Sequence, residues 1–216
     1  MVARTVCLVA AGILLAASAA QATSLDLTPG LPDITAGFVT VNYDPNGAGA
    51  GRGRLTAHGF TNALDLDGLA PMDYSTANGK FVSSFFDVFV DLDPLTASPF
   101  TGGLTVQGKV PLLGATSGTL LTGTLSGFGF QNPPGGEIFE FLFSTSGGDL
   151  APIFTPHVGV ILDASSSGFN GMFNAAFSNW DDGVADTFAY IPEPLTVVGV
   201  LLGLIGGAGY LRRRLG

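Results

Sequence analysis

The chain has almost no cysteine, since only Cys7 carries a thiol and it lies close to the N-terminus. The residues downstream therefore contain no disulfide, thiolate nucleophile or cysteine-based metal site. Histidine is nearly as scarce: His58 and His157 are the only two, and their separation fits no zinc-binding spacing. The Gly-x-Ser-x-Gly pattern of a serine nucleophile is also missing, because residues 114–118 place Thr116 at the central position. These absences predict a protein that is not an enzyme.

Basic residues are few, with 8 Lys and Arg against 17 Asp and Glu and a formal net charge of −9. All of the acidic residues except Glu193 lie between residues 23 and 191. The basic residues of that stretch are Arg52, Arg54, Lys80 and Lys109. Such an acidic surface repels phosphate backbones, so we expect no nucleic-acid partner.

Residues 1–22 have the three parts of a secretory signal peptide. Met1–Arg4 form a short positive start, Val6–Ala17 are apolar, and Ala20 and Ala22 flank Gln21 in a small-x-small cleavage site. The apolar stretch is shorter than the roughly 20 residues that a spanning helix needs. We therefore predict export, with cleavage after Ala22.

Residues 192–216 form a second apolar end. Leu195–Leu211 carry no charge, and as a helix they would span about 25 Å, slightly less than a hydrocarbon core of about 30 Å. We predict one transmembrane helix there. Arg212, Arg213 and Arg214 follow it, and a basic cluster beside a membrane helix stays cytoplasmic. This orientation places residues 23–191 in the periplasm.

Pro192, Glu193 and Pro194 stand immediately before the apolar segment and hold the backbone extended. Together with Thr196 near the helix start and the terminal arginines, they resemble the PEP-CTERM sorting signal. The resemblance covers only the tail and implies recognition of Pro192, Glu193 and Pro194 by a membrane-embedded exosortase. It further implies a Gram-negative producer of exopolysaccharide and transfer from a transient inner-membrane anchor to the cell surface or the extracellular space. An ordinary single-pass anchor behind a Pro-rich linker predicts the same topology.

Residues 23–191 show the pattern of an all-β domain. Short runs of Val, Phe, Thr and Leu alternate with Gly-rich turns, and no amphipathic helix is evident. Nine candidate strands favour a two-sheet antiparallel β-sandwich, similar to a jelly roll. They are Gly37–Tyr43, Arg54–Thr61, Lys80–Leu92, Leu104–Val110, Thr119–Phe130, Glu137–Ser144, His157–Asp163, Gly168–Phe177 and Ala185–Tyr190.

Alternation along two of these strands predicts which face is buried. In the third candidate strand, the core-facing set is Phe86, Val88, Val90 and Leu92. The opposite set is acidic and aromatic and consists of Phe85, Asp87, Phe89, Asp91 and Asp93. In the sixth, Phe139, Phe141 and Phe143 line one face opposite Ile138, Glu140 and Leu142. Because both faces of this strand are largely apolar, we expect both to be covered.

Carboxylates at strand ends are the only candidate metal ligands. Asp87, Asp91 and Asp93 form a weak candidate site for Ca²⁺, which prefers hard oxygen ligands. Further oxygen ligands are offered by Asp65 and Asp67 and by Asn179, Asp181 and Asp182. Residues 42–47 carry the first half of a calcium-loop pattern, but Gly53 replaces its bidentate Glu, so we interpret them as a turn. No other cofactor is expected.

Three functions fit this pattern. The first is a non-enzymatic protein of the cell envelope or extracellular matrix, because two targeting signals flank a domain without a catalytic motif. The second is a carbohydrate-binding module for exopolysaccharide, suggested by the acidic strand face and by Trp180 beside two aspartates. The third is a secreted hydrolase, for which the sequence offers abundant carboxylates but no specific pair.

Overall fold

The computed structural model describes residues 24–69, 72–132 and 136–191. Within these ranges regular structure is almost entirely β-strand, with a 3-10 turn at Pro111–Leu113 and one short helix, α1, at Ala151–Phe154. The strands are β1 (Asp33–Asp44), β2 (Gly53–Asp65), β3 (Tyr74–Ser75), β4 (Val82–Leu92), β5 (Pro99–Lys109), β6 (Thr119–Gln131), β7 (Ile138–Gly147), β8 (His157–Asp163), β9 (Phe177–Ser178) and β10 (Gly183–Tyr190).

Eight strands form one antiparallel sheet that closes on itself. Their order is β2-β4-β5-β6-β7-β8-β10-β1, and β1 pairs with β2 to complete the ring. The short strands β3 and β9 attach to β2 and β1. The prediction of an all-β domain is confirmed. The two-sheet sandwich is not confirmed, because β1 is hydrogen-bonded on both sides and leaves no gap between separate sheets.

Alternating side chains fill the inside of this barrel. An eight-stranded barrel has an interior just wide enough to be packed by side chains. In β4 the core-facing set predicted from alternation is buried, with Val90 and Leu92 fully inaccessible to solvent. The other strands contribute in the same way, including Val41, Leu55, Val106, Leu121, Phe141 and Val160. The core is thus a continuous apolar interior rather than a ligand cavity lined by polar groups.

A plug of aromatic residues closes one end of the barrel. Phe169, Phe173 and Phe177 lie in the connection between β8 and β10, and their ring centroids are 4.9 to 5.9 Å apart. They pack on Phe139, and the hydroxyl of Tyr43 donates a hydrogen bond of 2.7 Å to the carbonyl of Phe173. We call this the plug end.

The prediction of a strand at Gly168–Phe177 is therefore wrong, since only Phe177–Ser178 pairs as β9. In an extended strand, residues four apart share a face but lie about 13 Å from each other, whereas the centroids of these three rings are 4.9 to 5.9 Å apart. An irregular, Gly-containing loop can turn all three toward one point, and a single short strand cannot.

The N-terminal segment covers the outside of β7. Glu140 is 2% exposed, and its carboxylate accepts hydrogen bonds from the Ser24 hydroxyl at 2.6 Å and from the backbone N–H groups of Leu25 and Leu27 at 2.7 and 3.0 Å. On the other side of β7, Phe139 and its neighbours face the core. The expectation that this strand is covered on both faces is confirmed.

The two ends of the barrel are distinguished by strand direction. β1 begins and β10 finishes at the end opposite the plug, where Asp33 is paired with Phe188. We call this the exit end, because the chain leaves the barrel there after Tyr190. No helix among the described residues is long and apolar enough to cross a bilayer.

Candidate binding surface on the outside of the barrel

Strands β2 and β4 present aromatic rings to solvent. The even-numbered side chains of β4 from 86 to 92 are buried, so the alternating ones point outward. β2 pairs with β4 and adds two rings to the same surface. We call this surface the aromatic face and define it as His58, Phe60, Phe85, Asp87 and Phe89.

Three of its rings lie against one another. The His58 and Phe85 rings are stacked with centroids 5.2 Å apart, and the Phe60 ring lies 5.7 Å from Phe85. Phe60 and Phe85 keep 45% and 42% of their surface exposed. His58 Nδ1 is 2.5 Å from Asp87 Oδ1, which fixes the orientation of the imidazole. A contiguous apolar patch with polar groups at its border is typical of an interaction site.

An ion pair borders the aromatic face. Arg54 donates to Asp91 from Nε at 2.6 Å and from Nη2 at 2.9 Å, and its guanidinium lies 5.3 Å from the centroid of Phe89. The hydrogen bonds to Asp91 raise the pKa of Arg54, so the guanidinium stays charged. Gly103 of β5 lies beneath Phe89, and a Cβ there would come within 2.7 Å of the ring. The missing side chain allows Phe89 to lie flat across β5.

The loop that follows the plug borders the other side of the aromatic face. Asp181 accepts a hydrogen bond from the hydroxyl of Thr40, which is paired with His58 across β1 and β2. Asn179 accepts a bond of 2.6 Å from the backbone of β1. Trp180 lies between these two anchored residues and is 84% exposed. The loop therefore exposes an indole between two residues that are anchored to β1.

The structure does not bring Asp87, Asp91 and Asp93 together. Asp87 is bonded to His58, and Asp91 is bonded to Arg54. Asp93 accepts bonds of 2.8 and 3.1 Å from backbone N–H groups of its own turn. Each carboxylate thus has a separate partner, and Asp87 and Asp91 are four residues apart on one strand, about 13 Å at the usual rise.

Another group of carboxylates does converge. Oxygen atoms of Asp65, Asp67 and Asp73 lie within 4.8 Å of one another at the exit end. Asp65 accepts backbone bonds from Asp67 and Gly68, and Asp73 accepts one from Leu66, so turn formation accounts for their positions. The sequence singled out Asp65 and Asp67 but not Asp73, because the intervening loop leaves no fixed spacing.

Asp33 is the most strongly perturbed carboxyl group of the described residues. Burial raises its pKa to about 6, and the negative charges of Asp186 and Asp65 add to the effect. Burial also raises the pKa of Asp186. Within the described ranges, Asp33 Oδ1 is inaccessible to solvent and has no hydrogen-bond partner. No sequence signal marks this position, because the three residues come from three different strands.

The His58–Asp87 pair has the orientation of two members of a catalytic triad. Its third member would be a hydroxyl or thiol within hydrogen-bond reach of the imidazole. In the described part of the chain, Asp87 is the one side chain that is hydrogen-bonded to His58. The contact between the two side chains orients the imidazole on the aromatic face.

The residues predicted to direct export and sorting lie outside the described ranges. They are Ala20, Ala22, Pro192, Glu193, Pro194, Arg212, Arg213 and Arg214. Their assignments remain predictions from the sequence.

No protein-family model, curated protein or solved structure matches the chain.

Proposed function

We propose that this chain is an exported, non-enzymatic protein of the cell envelope or extracellular matrix, sorted through its C-terminal tail by an exosortase-type enzyme. The observation that carries the proposal is the position of the last barrel strand. β10 ends at Tyr190, and the Pro192-Glu193-Pro194 handle follows after a single residue. A processing enzyme at the membrane would thus meet the handle directly beneath a folded domain.

Co-expression of the full chain with an exosortase tests this proposal. The expected result is a product shortened at the C-terminus by intact mass and released from the membrane fraction. Glu193→Ala should leave the chain full length and membrane-bound, because it removes the carboxylate of the handle. Asp182→Ala is the matched control, since it removes an exposed carboxylate at the plug end. Equal processing of the Glu193 variant, or no processing of the parent chain, would contradict the proposal.

The aromatic face supports a second proposal, that the protein binds a neutral polysaccharide such as an exopolysaccharide of the producing cell. Exposed rings stack on the apolar faces of sugar rings, and a flanking carboxylate and imidazole can hydrogen-bond to hydroxyl groups. The net charge of −9 disfavours an acidic polymer.

Affinity electrophoresis in gels containing neutral polysaccharide, including that of a producing host, tests this second function. Phe85→Ser should abolish retardation, because Phe85 contacts both other rings of the cluster. Trp180→Ala tests whether the neighbouring loop contributes. Leu95→Ser is the control, since Leu95 is 84% exposed on the turn that joins β4 to β5. Retardation that persists in the Phe85 variant would place binding elsewhere.

A further inference from the structure

Exposed aliphatic side chains are concentrated at the exit end of the barrel. They come from five separate connections: the segment before β1, the loop after β2, the 3-10 turn after β5, helix α1 and the residue after β10. We call them the apolar rim and define it as Leu31, Leu69, Leu112, Leu113, Ile153 and Ile191. Their exposed fractions run from 40% for Leu113 to 77% for Ile191.

Four of the six rim residues line two cavities at this end of the barrel. Leu113 and Ile153 line an apolar cavity of about 410 Å³ together with Pro32 and Leu66. Leu31, which precedes Pro32 in the chain, lines a second cavity of about 330 Å³ with Ile191. An exposed apolar surface on a folded domain marks a site of interaction. At the plug end Phe169, Phe173 and Phe177 turn inward and close the core, and the exposed aliphatic side chains there are Leu95, Met172 and Val184.

The length of chain beyond the barrel indicates what covers the rim. Leu195, where the uncharged segment begins, is four residues after Ile191. Even fully extended, this linker spans at most about 14 Å. A headgroup layer is about 5–8 Å thick on each side of the bilayer. If Leu195–Leu211 cross a bilayer, the exit end cannot move far from its surface.

We propose that the apolar rim rests on the lipid surface, with its aliphatic side chains in the interfacial layer of a zwitterionic membrane. This inference depends on the membrane-spanning tail of the proposed function. The lipid chemistry follows from the charges at the exit end, where the four carboxylates of Asp65, Asp67, Asp73 and Asp149 outnumber Lys80 and Lys109, so that anionic headgroups are repelled. The barrel then has a fixed orientation, with the plug end and Trp180 farthest from the membrane.

Fluorescence quenching in the full-length chain tests the orientation. The parent protein carries one tryptophan, Trp180 at the plug end, which is a built-in distant reporter. Leu112→Trp combined with Trp180→Phe moves the reporter to the rim, and Leu69→Trp in the same background does so on a different loop. Both replacements are at exposed positions, so the fold should persist.

Each protein is reconstituted into phosphatidylcholine vesicles whose acyl chains are brominated near the headgroup. Emission from the two rim reporters should be quenched at least about twofold, since interfacial side chains lie within roughly 5–10 Å of the acyl boundary. Emission from Trp180 in the parent protein should be unchanged. Vesicle flotation of the same samples measures whether the tail is inserted.

Two outcomes overturn the inference in distinguishable ways. If the chains float with the vesicles but the rim reporters are not quenched, the rim does not contact lipid. A blue-shifted, unquenched emission would then show that a second copy or another part of the chain covers it. If the chains do not float, the tail does not insert into the vesicles. The membrane-spanning tail of the proposed function is then wrong, and so is the lipid contact that depends on it.

Discussion

Asp33 is a carboxyl group that the folded state prefers to keep protonated. Its pKa is raised to about 6 by burial and by Asp186 and Asp65, against about 3.9 in an unfolded chain. The stabilising effect of protonation is fully present below about pH 4 and is lost as the pH rises through 6. Unfolding free energy should therefore fall over that window.

Asp33→Asn should remove this pH dependence. We expect a gain of about 1 kcal/mol in unfolding free energy at pH 7 and no gain at pH 4, after allowing for partial exposure to solvent. Urea unfolding at the two pH values measures the difference. Asp182→Asn, at an exposed position, should give no such pH-dependent gain. Equal gains in unfolding free energy at both pH values would show that the gain does not come from the ionisation of Asp33.

The Arg54–Asp91 ion pair links β2 to β4. Asp91 is 7% exposed, so loss of its partner leaves a nearly buried carboxylate without a counter-charge. Arg54→Met, which keeps the aliphatic stem over Phe89, should cost about 2 kcal/mol, less than for a fully buried pair because Arg54 is partly exposed. Arg52→Met should cost under about 0.5 kcal/mol. A similar cost for both, by thermal unfolding, would contradict this prediction.

At the scale of elements, the plug depends on one central ring. Phe173 is 1% exposed and contacts the rings of Tyr43, Phe128, Phe130, Phe139, Phe169 and Phe177. Phe173→Ala should lower the unfolding free energy by about 3–5 kcal/mol through lost burial and a residual cavity. Met172→Ala, half-exposed on the same loop, should change it by under about 0.5 kcal/mol. Denaturant unfolding compares the two, and a small Phe173 effect would mean that the plug is not part of the core.

The carboxylate of Glu140 holds the N-terminal segment against β7. Glu140→Gln places an amide where one of two acceptor oxygens stood, and we expect a cost of about 1–3 kcal/mol. Amide hydrogen exchange at Leu25 and Leu27 should accelerate while exchange in β4 stays unchanged. Ser24→Ala removes one of the three bonds and should have a smaller effect of the same kind. Unchanged protection of Leu25 and Leu27 in both variants would contradict the assignment.

The strands themselves were predictable because alternation is a local property. Val88 and Asp87 are adjacent and need opposite environments, which an extended backbone provides. Glu140 stands in an apolar run, and the sequence indicated that both faces of β7 would be covered. The sequence did not indicate that the N-terminal segment would cover the outer face, because Ser24 is far from Glu140 in the chain.

The aromatic face was only partly predictable. Alternation placed Phe85, Asp87 and Phe89 on one side of a strand. It carried no information that His58 and Phe60 belong beside them, because strand pairing is a long-range contact. The predicted strand over Gly168–Phe177 was wrong for a related reason. Its phenylalanines pack across the open end of the barrel, and no local sequence pattern predicts that contact.

At the scale of the molecule, the closed sheet and its single core should unfold as one unit. A fragment of residues 23–191 should give one calorimetric transition with an enthalpy on the order of 120 kcal/mol near 60 °C. The calorimetric and van't Hoff enthalpies should agree. Two separated transitions would show that the plug or one side of the barrel is a separate cooperative unit.

A β-sandwich and a β-barrel differ in how the whole sheet is connected. Both architectures bury one face of each strand, so their alternation patterns are the same. The barrel differs from the sandwich in that its first strand pairs with its last. Residues of β1 and β10 that lie opposite each other, such as Ile34 and Thr187, have no sequence feature that predicts this pairing.

That pairing has a consequence for the order of folding. In a chain delivered N-terminus first, β1 can pair with β2 early, but its other edge waits for β10, the last strand to emerge. An unpaired edge is an adhesive surface for other chains. Closure must also await a contact across nearly the whole domain, which slows folding. The interval between emergence of β1 and arrival of β10 is therefore when this protein is most exposed to aggregation and most dependent on chaperones.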